Sequence, residues 1–327
     1  MRRAALAALV AGSGVAVPAG AAAQSLLATR VRADNDAFNF WVAPWYRPDE
    51  EYTSGVRATL EYAGEPWWNA WLLAPVAHCG TGAGARCSTK AFTIGQDIYT
   101  AAPGPGDRGT AAGSRPNAGW LFLEESGRVA TATRLDESGI ALGVTGEPAL
   151  AHVMQRVAHG YGAEYNRPVD WSHQLPAEPG LVIRYERTQR VRLAGSDAGF
   201  GMTMEPHAGA SLGNILTEAT AGARVRLGFG VRHPWLPVSS PREAEFSVFA
   251  DATMHGVARN AFLAGTMFRP SDHVQGRPWV GTYQAGLTLR WRQLGATYRA
   301  IRMAPEYVTR TAAHSWSSIE AEWRVVP

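Results

Sequence analysis

Asn35 and Asp36, in the stretch Ala33-Asp34-Asn35-Asp36-Ala37-Phe38, and Thr53, in Tyr52-Thr53-Ser54-Gly55, are oxygen-bearing side chains of the kind that hold a hard cation or orient a water. More than a hundred residues later Gln155 and His159 stand four apart, with Glu164 just beyond them. His159 is the candidate general base, because an imidazole titrates near neutrality. Asp36 and Glu164 can offer carboxylate oxygens to a cation, and such an ion polarises an ester carbonyl and stabilises the oxyanion. Gln155, Asn35 or Thr53 would then orient the water or the carbonyl. The chemistry such a set would support is ester hydrolysis by activated water.

Taken singly, each residue has an ordinary explanation. Asn and Asp are turn formers, Thr53 is a good strand residue, and a histidine near a helix C-terminus complements the dipole. Glu164 suits a solvated loop, and His78, His207, His233, His255, His273 and His314 have no spacing partner. The one Gly-x-Ser-x-Gly run, Gly209 to Gly213, falls inside an expected strand and not at the strand-to-helix elbow that exposes a nucleophile, so a serine-hydrolase mechanism has no support. The case rests on whether the fold brings these groups together.

Residues 1–23 read as a signal peptide rather than as part of that fold. Arg2-Arg3 form the positive region, Ala4 to Val17 the apolar region, and Ala21-Ala22-Ala23 the small-residue cleavage pattern. The apolar run is about 14 residues, too short to span about 30 Å of hydrocarbon. The remaining chain, 24–327, has no low-complexity linker and reads as one domain. The net charge of +3 is carried by scattered arginines, with Lys90 the only lysine, which argues against a nucleic-acid surface. Cys79 and Cys87 sit in a glycine-rich stretch and are expected to pair in an oxidising envelope compartment; a metal pair is the alternative.

Period-two alternation dominates the chain beyond the leader. Phe246–Ala252, Gln284–Trp291, Ala296–Arg302 and Ile319–Val325 each carry apolar or aromatic residues on one face and Arg, Glu, Thr or Gln on the other. That pattern predicts an all-β, transmembrane antiparallel β-barrel of about 12 strands. The strands are placed near 25–36, 53–63, 90–99, 117–127, 137–146, 180–193, 199–213, 215–230, 243–257, 279–292, 294–303 and 314–326. With both termini inside, the outer connections are 37–52, 100–116, 147–179, 214, 258–278 and 304–313. The long 64–89 connection is the exception that falls inside. One short helix is expected in an outer loop, entered at Pro148, running from Ala149 to His159 and capped by Gly160. Leu150, Val153, Met154 and Val157 give it an apolar face, while Gln155 and His159 share another. Strand parity thus puts Asn35, Asp36, Thr53, Gln155, His159 and Glu164 at one rim.

The ordered motifs Asn35-Asp36-x-Phe38, Tyr52-Thr53-x-Gly55, Ile94-Gly95-Gln96-x-Ile98-Tyr99-Thr100, Arg115-Pro116-x-Ala118-Gly119-Trp120, Gln155-x-x-x-His159 and Trp171-x-x-Gln174-Leu175-x-x-Glu178-Pro179 resemble the outer-membrane lipid A deacylase family over roughly 33–187. Any one motif is weak; six in order are specific. The resemblance implies an outer-membrane enzyme of twelve strands, a carboxylic ester hydrolase whose substrate is lipid A in lipopolysaccharide; a monomer is expected. It implies removal of the 3′-acyloxyacyl chain with calcium (Ca2+) at Asp36 and Glu164, the site facing the outer leaflet. His159 would be the base and Gln155 its neighbour, with Asn35 and Asp36 at the ion and oxyanion centre and Thr53 lining it. A basic residue from the second outer connection, Arg108 or Arg115, would contact a lipid phosphate. The chain departs from the family pattern at Asn117, where the family has Tyr, at Ser54, where it has Asn, at Gly146-Glu147-Pro148, and at the end, Val325-Val326-Pro327, where it has an aromatic. A phospholipase of different specificity, or an inactive structural or transport barrel, are the competing readings.

Overall fold

The structure, a computed structural model, describes residues 25–39, 51–66, 68, 87–104, 110–160, 169–196, 199–231 and 244–325, the side chains of 158–160 excepted. The expected leader, 1–23, lies outside the described residues.

The alternating segments pair into antiparallel ladders. In chain order they are β1 (Leu26–Asn35), β2 (Glu51–Ala63), β3 (Cys87–Thr100), β4 (Ala118–Ala130), β5 (Arg134–Thr145), β6 (Pro179–Gln189), β7 (Val191–Gly195), β8 (Phe200–Gly213), β9 (Leu216–Phe229), β10 (Ala244–Asn260), β11 (Trp279–Trp291), β12 (Leu294–Met303) and β13 (His314–Arg324). β6 pairs with β8 through Val182–Thr188, and β7 continues that pairing beyond Arg190. The two are halves of one strand, matching the single strand expected at 180–193. β1 pairs with β13, so the sheet closes into a twelve-stranded antiparallel barrel. Closure leaves no strand edge unpaired, the condition a sheet must meet in hydrocarbon.

Alternation gives the wall two chemistries. The outward face exposes Val31, Leu60, Phe92, Ile94, Leu123, Leu142, Leu212 and Val248, with Trp279 and Tyr283 toward one rim and Trp291 and Trp323 toward the end that carries both termini. A continuous apolar band between aromatic belts fits a bilayer. The lumen face carries ion pairs instead: Arg57 with Asp97 at 2.7 Å, Arg128 with Glu137 at 2.6 Å, Arg290 with Glu245 at 2.8 Å, and Arg30 with Glu61. Near the site-bearing rim the lumen is filled by apolar packing of Trp120, Phe122, Leu175 and Phe262, with Tyr99 stacked on Phe262 at 4.3 Å.

Two local expectations are corrected. The helix is not continuous from Pro148: Glu147–Ala149 forms one 3-10 turn, Leu150 takes a left-handed φ of 57°, and α1 (Ala151–Gly160) starts after it. The turn is closed by Leu150 N–H donating to the Glu147 carbonyl at 2.9 Å, so Leu150 is a joint and not part of the helix face. β3 also begins earlier than expected, at Cys87, which is disulfide-bonded. Its only possible partner in the chain, Cys79, lies outside the described residues.

Candidate active site

The ends of β1, β2 and β3 sort their polar residues onto opposite sides of the wall. Asp34 and Asp97 point into the lumen, where the Tyr52 hydroxyl lies between them, 2.8 Å from Asp34 and 3.0 Å from Asp97, with one proton to donate. Asn35, one residue on, falls on the outward side opposite Ser54 and Ser317. The β2–β3 register slips between Tyr52 and Ser54, making Thr53 the extra residue of a bulge. A bulge re-aims side chains. Thr53 Oγ1 accordingly meets Thr100 Oγ1 at 2.6 Å, while Tyr52 stays with the lumen carboxylates. Asn35 Oδ1 accepts from Ala37 N–H at 2.7 Å and caps the turn Asp36–Phe38, in which Asp36 is buried. That turn folds over the outward face of β12 and β13: Tyr298 donates to the Phe38 carbonyl at 2.9 Å and Asn39 donates to the Ser315 carbonyl at 2.6 Å.

Gln155 reaches the same side by another route. The segment leading into α1 lies against the outward face of β3 and β4, with Gln96 Nε2 donating to the Ala149 carbonyl at 2.5 Å. Gly119 makes the approach possible, since a Cβ there would stand 2.6 Å from the Ala151 Cβ. Within α1, Ala151 and Gln155 are buried, and Val153, Met154 and Val157 are exposed. A helix on a soluble protein does the reverse; one at a membrane interface turns its apolar face outward. Gln155 Oε1 accepts from Trp171 Nε1 at 2.8 Å. Trp171 begins a turn capped by Asp170, whose carboxylate accepts from the Ser172 hydroxyl and then from its N–H; these bonds hold Asp170 below the ordinary carboxyl value. Asn117, a departure from the family motif, joins three segments: its Oδ1 accepts from Ala101 N–H and its Nδ2 donates to the Asp170 carbonyl, both at 2.7 Å.

The wall therefore gathers Asn35, Asp36 and Thr53 on β1 and β2, and Gln155 on the helix over β3 and β4. Neighbouring strands are about 4.8 Å apart, so the two groups stand on the order of 10 Å from each other along the wall. His159 is in the last turn of α1, and its side chain lies outside what is described; Glu164 and Arg108 also lie outside the described residues. Gln96 and Trp171 are site neighbours that sequence reasoning misses. Gln96 has a readable signal, a polar residue in the outward register between Ile94 and Ile98. Trp171 has none beyond its motif.

Arg115 is enclosed at the rim. It has no exposed surface and lies between Glu306, at 3.2 Å, and Glu51, at 3.4 Å, with its guanidinium 4.8 Å from the Tyr99 ring centre. Burial works to lower its pKa, and the attraction of Glu306 and Glu51 overcomes this and raises it. Tyr307 donates to Glu51 at 2.6 Å and is pushed up to about 12, first by burial and then by Glu51. This cluster staples three rim connections, and the Arg115 guanidinium is held inside it.

Among the described residues no group of three His, Cys, Asp or Glu side chains stands ready to hold a metal. Asp36 offers a buried carboxylate, an oxygen ligand that suits a hard cation better than zinc.

Comparison with known proteins fits this architecture. The family model described as outer membrane protein LpxR matches residues 5–325. Among solved structures, LpxR from Salmonella typhimurium is 20% identical, covers 90% of this chain and 99% of its own, and superposes with a TM-score of 0.71. The β domain of the Bordetella autotransporter BrkA covers 91% of this chain and 97% of its own at 9% identity, but its TM-score of 0.43 is too low to bear on the fold. Curated proteins give no match. A family match over nearly the whole length, on a closed twelve-stranded barrel with an apolar outer band, means that this chain belongs to the LpxR family of outer membrane proteins, the family its ordered motifs resemble.

Proposed function

We propose that this protein is an outer-membrane ester hydrolase that removes the 3′-linked acyloxyacyl chain of lipid A, with its site turned to the outer leaflet. The observation that carries this reading is that Asn35, Thr53 and α1 lie on the outward side of a wall whose lumen is filled at that rim. A substrate held in the bilayer can reach polar groups placed there by sliding along the wall, with no passage through the barrel.

In the proposed reaction His159 takes a proton from a water as the water oxygen attacks the ester carbonyl. Gln155, Asn35 and Thr53 hold the water and the developing oxyanion by hydrogen bonds. The tetrahedral centre then collapses, the C–O bond to the sugar breaks, and His159 returns the proton to the departing alkoxide. Asp36 and Glu164 would hold a calcium ion, which supplies Lewis-acid polarisation of the carbonyl when bound. The exposed apolar face of α1 sits in the leaflet and keeps bulk water away from the ester.

Lipid A extracted from cells with and without the protein, compared by mass, tests the reading. Loss of the mass of one acyloxyacyl chain, abolished in His159→Ala, is expected. An unchanged lipid A mass with folded protein and calcium present would sink it, and a shortened phospholipid would point to a phospholipase.

A further inference from the structure

A recess of about 550 Å³ lies on the outward wall, on the other side of the Asp36–Phe38 turn from α1. Strand alternation explains its shape. Ala252, Tyr283, Arg302 and Ser315 face one another in one cross-strand row, and Ala250, Ala285 and Ala300 in the next. All are outward positions, and the alanines leave a low floor. The following outward row toward the termini is tall, with Val248 against Leu287 and Leu287 against Tyr298. On the rim side stand Tyr283 and Met254, both exposed. The recess is thus a trough with taller side chains toward the termini and toward the rim.

Two features say what it takes. One is its far wall, Asn39, which donates its backbone N–H to the Asp36 carbonyl at 3.1 Å; the trough and the proposed hydrolytic site share one turn. The other is Arg302, one residue from the rim end of β12 and exposed on the outward side, donating to Ser315 Oγ at 3.5 Å. A guanidinium at that height matches a phosphate above a hydrocarbon floor. The floor alone would accept any annular lipid; an apolar trough, an arginine at its mouth and a shared wall with the site fit one molecule that carries phosphate and several chains.

We infer that the trough holds an acyl chain of the substrate lipid other than the one cleaved, with Arg302 facing a phosphate of its headgroup. This rests on the hydrolase reading above and adds a second anchoring point to it. Its size is in the range of small-molecule pockets, roughly 300–1,000 Å³. A lipid straddling the turn would be fixed on both sides of the scissile ester, and the trough would select for substrates with enough chains to fill it.

The test uses the full-length protein in detergent, carrying His159→Ala so that binding is read without turnover. Retention of purified lipid A and of phosphatidylethanolamine is measured by native mass spectrometry. Ala285→Phe and Ala252→Phe should each weaken lipid A retention about tenfold, the scale on which filling an apolar pocket discriminates. Ala296→Phe, on the same face of β12 but outside the trough, should retain lipid A like its parent. Arg302→Gln should shrink the preference for phosphorylated over dephosphorylated lipid A. Heat-dependent electrophoretic mobility verifies folding, and Ala285→Val supplies a milder filling variant. Undiminished lipid A retention in the folded Ala285→Phe and Ala252→Phe variants overturns the inference, as does an equal loss of both lipids. Trough-dependent retention of lipid A that the wild-type protein never hydrolyses would instead overturn the hydrolase reading alone.

Discussion

Asp34 and Asp36 are two residues apart and live in different environments. Asp34 is 1% exposed in the lumen, bonded by Arg32 at 2.7 Å, Arg57 at 3.2 Å and the Tyr52 hydroxyl at 2.8 Å. Asp36 is buried in a turn folded over the outward wall, beside the strand ends that bear Asn35 and Thr53. The contrast extends to whole faces. The lumen matches charge to charge across strands, which holds the barrel's shape; the outward rim carries polar groups in a register that elsewhere on the wall is apolar. Polar groups at apolar-register positions are the better guide to chemistry.

The comparison breaks most visibly at the outward rim. His159→Ala and Asp36→Asn are each expected to lower the proposed deacylation by about 10²–10⁴, the usual worth of a positioned acid–base group or charge. Their heat-dependent mobility should match the wild type. If either variant keeps full activity by lipid A mass, the residue has no part in the reaction. Asp34→Ala should do the opposite. It takes one carboxylate from Arg32 and Arg57, of which Arg57 keeps Asp97, and losing such charged hydrogen bonds costs on the order of 1–3 kcal/mol. Urea unfolding in detergent should register that loss while the activity of the folded fraction persists.

The strands were legible because one face meets hydrocarbon and the other a charged lumen, so alternation survives along almost every one. The expected strand 294–303 coincides with β12, and 180–193 spans both halves of the strand that Arg190 interrupts. What was not legible depends on contacts between distant loops. Nothing local marks Arg115 as enclosed by Glu51 and Glu306, which come from opposite ends of the chain. Nor does helical spacing reveal which side of α1 is buried. The apolar stripe of Val153, Met154 and Val157 would be the packed side in water, and here it is exposed while Gln155 is covered. The solvent decides, and only the barrel reading says that the solvent is lipid.

Gly119 sharpens the comparison at the level of position. A side chain there meets Ala151 and Ala149, so Gly119→Val should push α1 off the wall without touching the lumen. A displacement of about 1 Å costs on the order of 10² in rate when it misplaces a reacting group. The expected result is that fall in activity with little change in urea midpoint. A large drop in the midpoint instead would mean that α1 is part of the barrel's structural frame.

The smallest effect comes from acid. Asp170 holds the turn that presents Trp171 to Gln155, and its carboxyl is kept below the ordinary value first by the Ser172 hydroxyl and then by the Ser172 N–H. Because the folded pKa is the lower one, the unfolded turn takes up a proton first as pH falls. The cap's contribution is therefore complete above the ordinary carboxyl range and is lost as pH drops through the lower, folded value. Asp170 is exposed, so water screens much of this effect. Tryptophan fluorescence of Trp171, followed by acid titration in the wild type and in Asp170→Ala, should show a transition in the first that is missing from the second. The lumen pairs lie behind the wall and should leave that signal unchanged. If Asp34→Asn shifted the acid transition of Trp171, the two faces would be coupled through β1, and the division between a structural lumen and a chemical outer wall would fail.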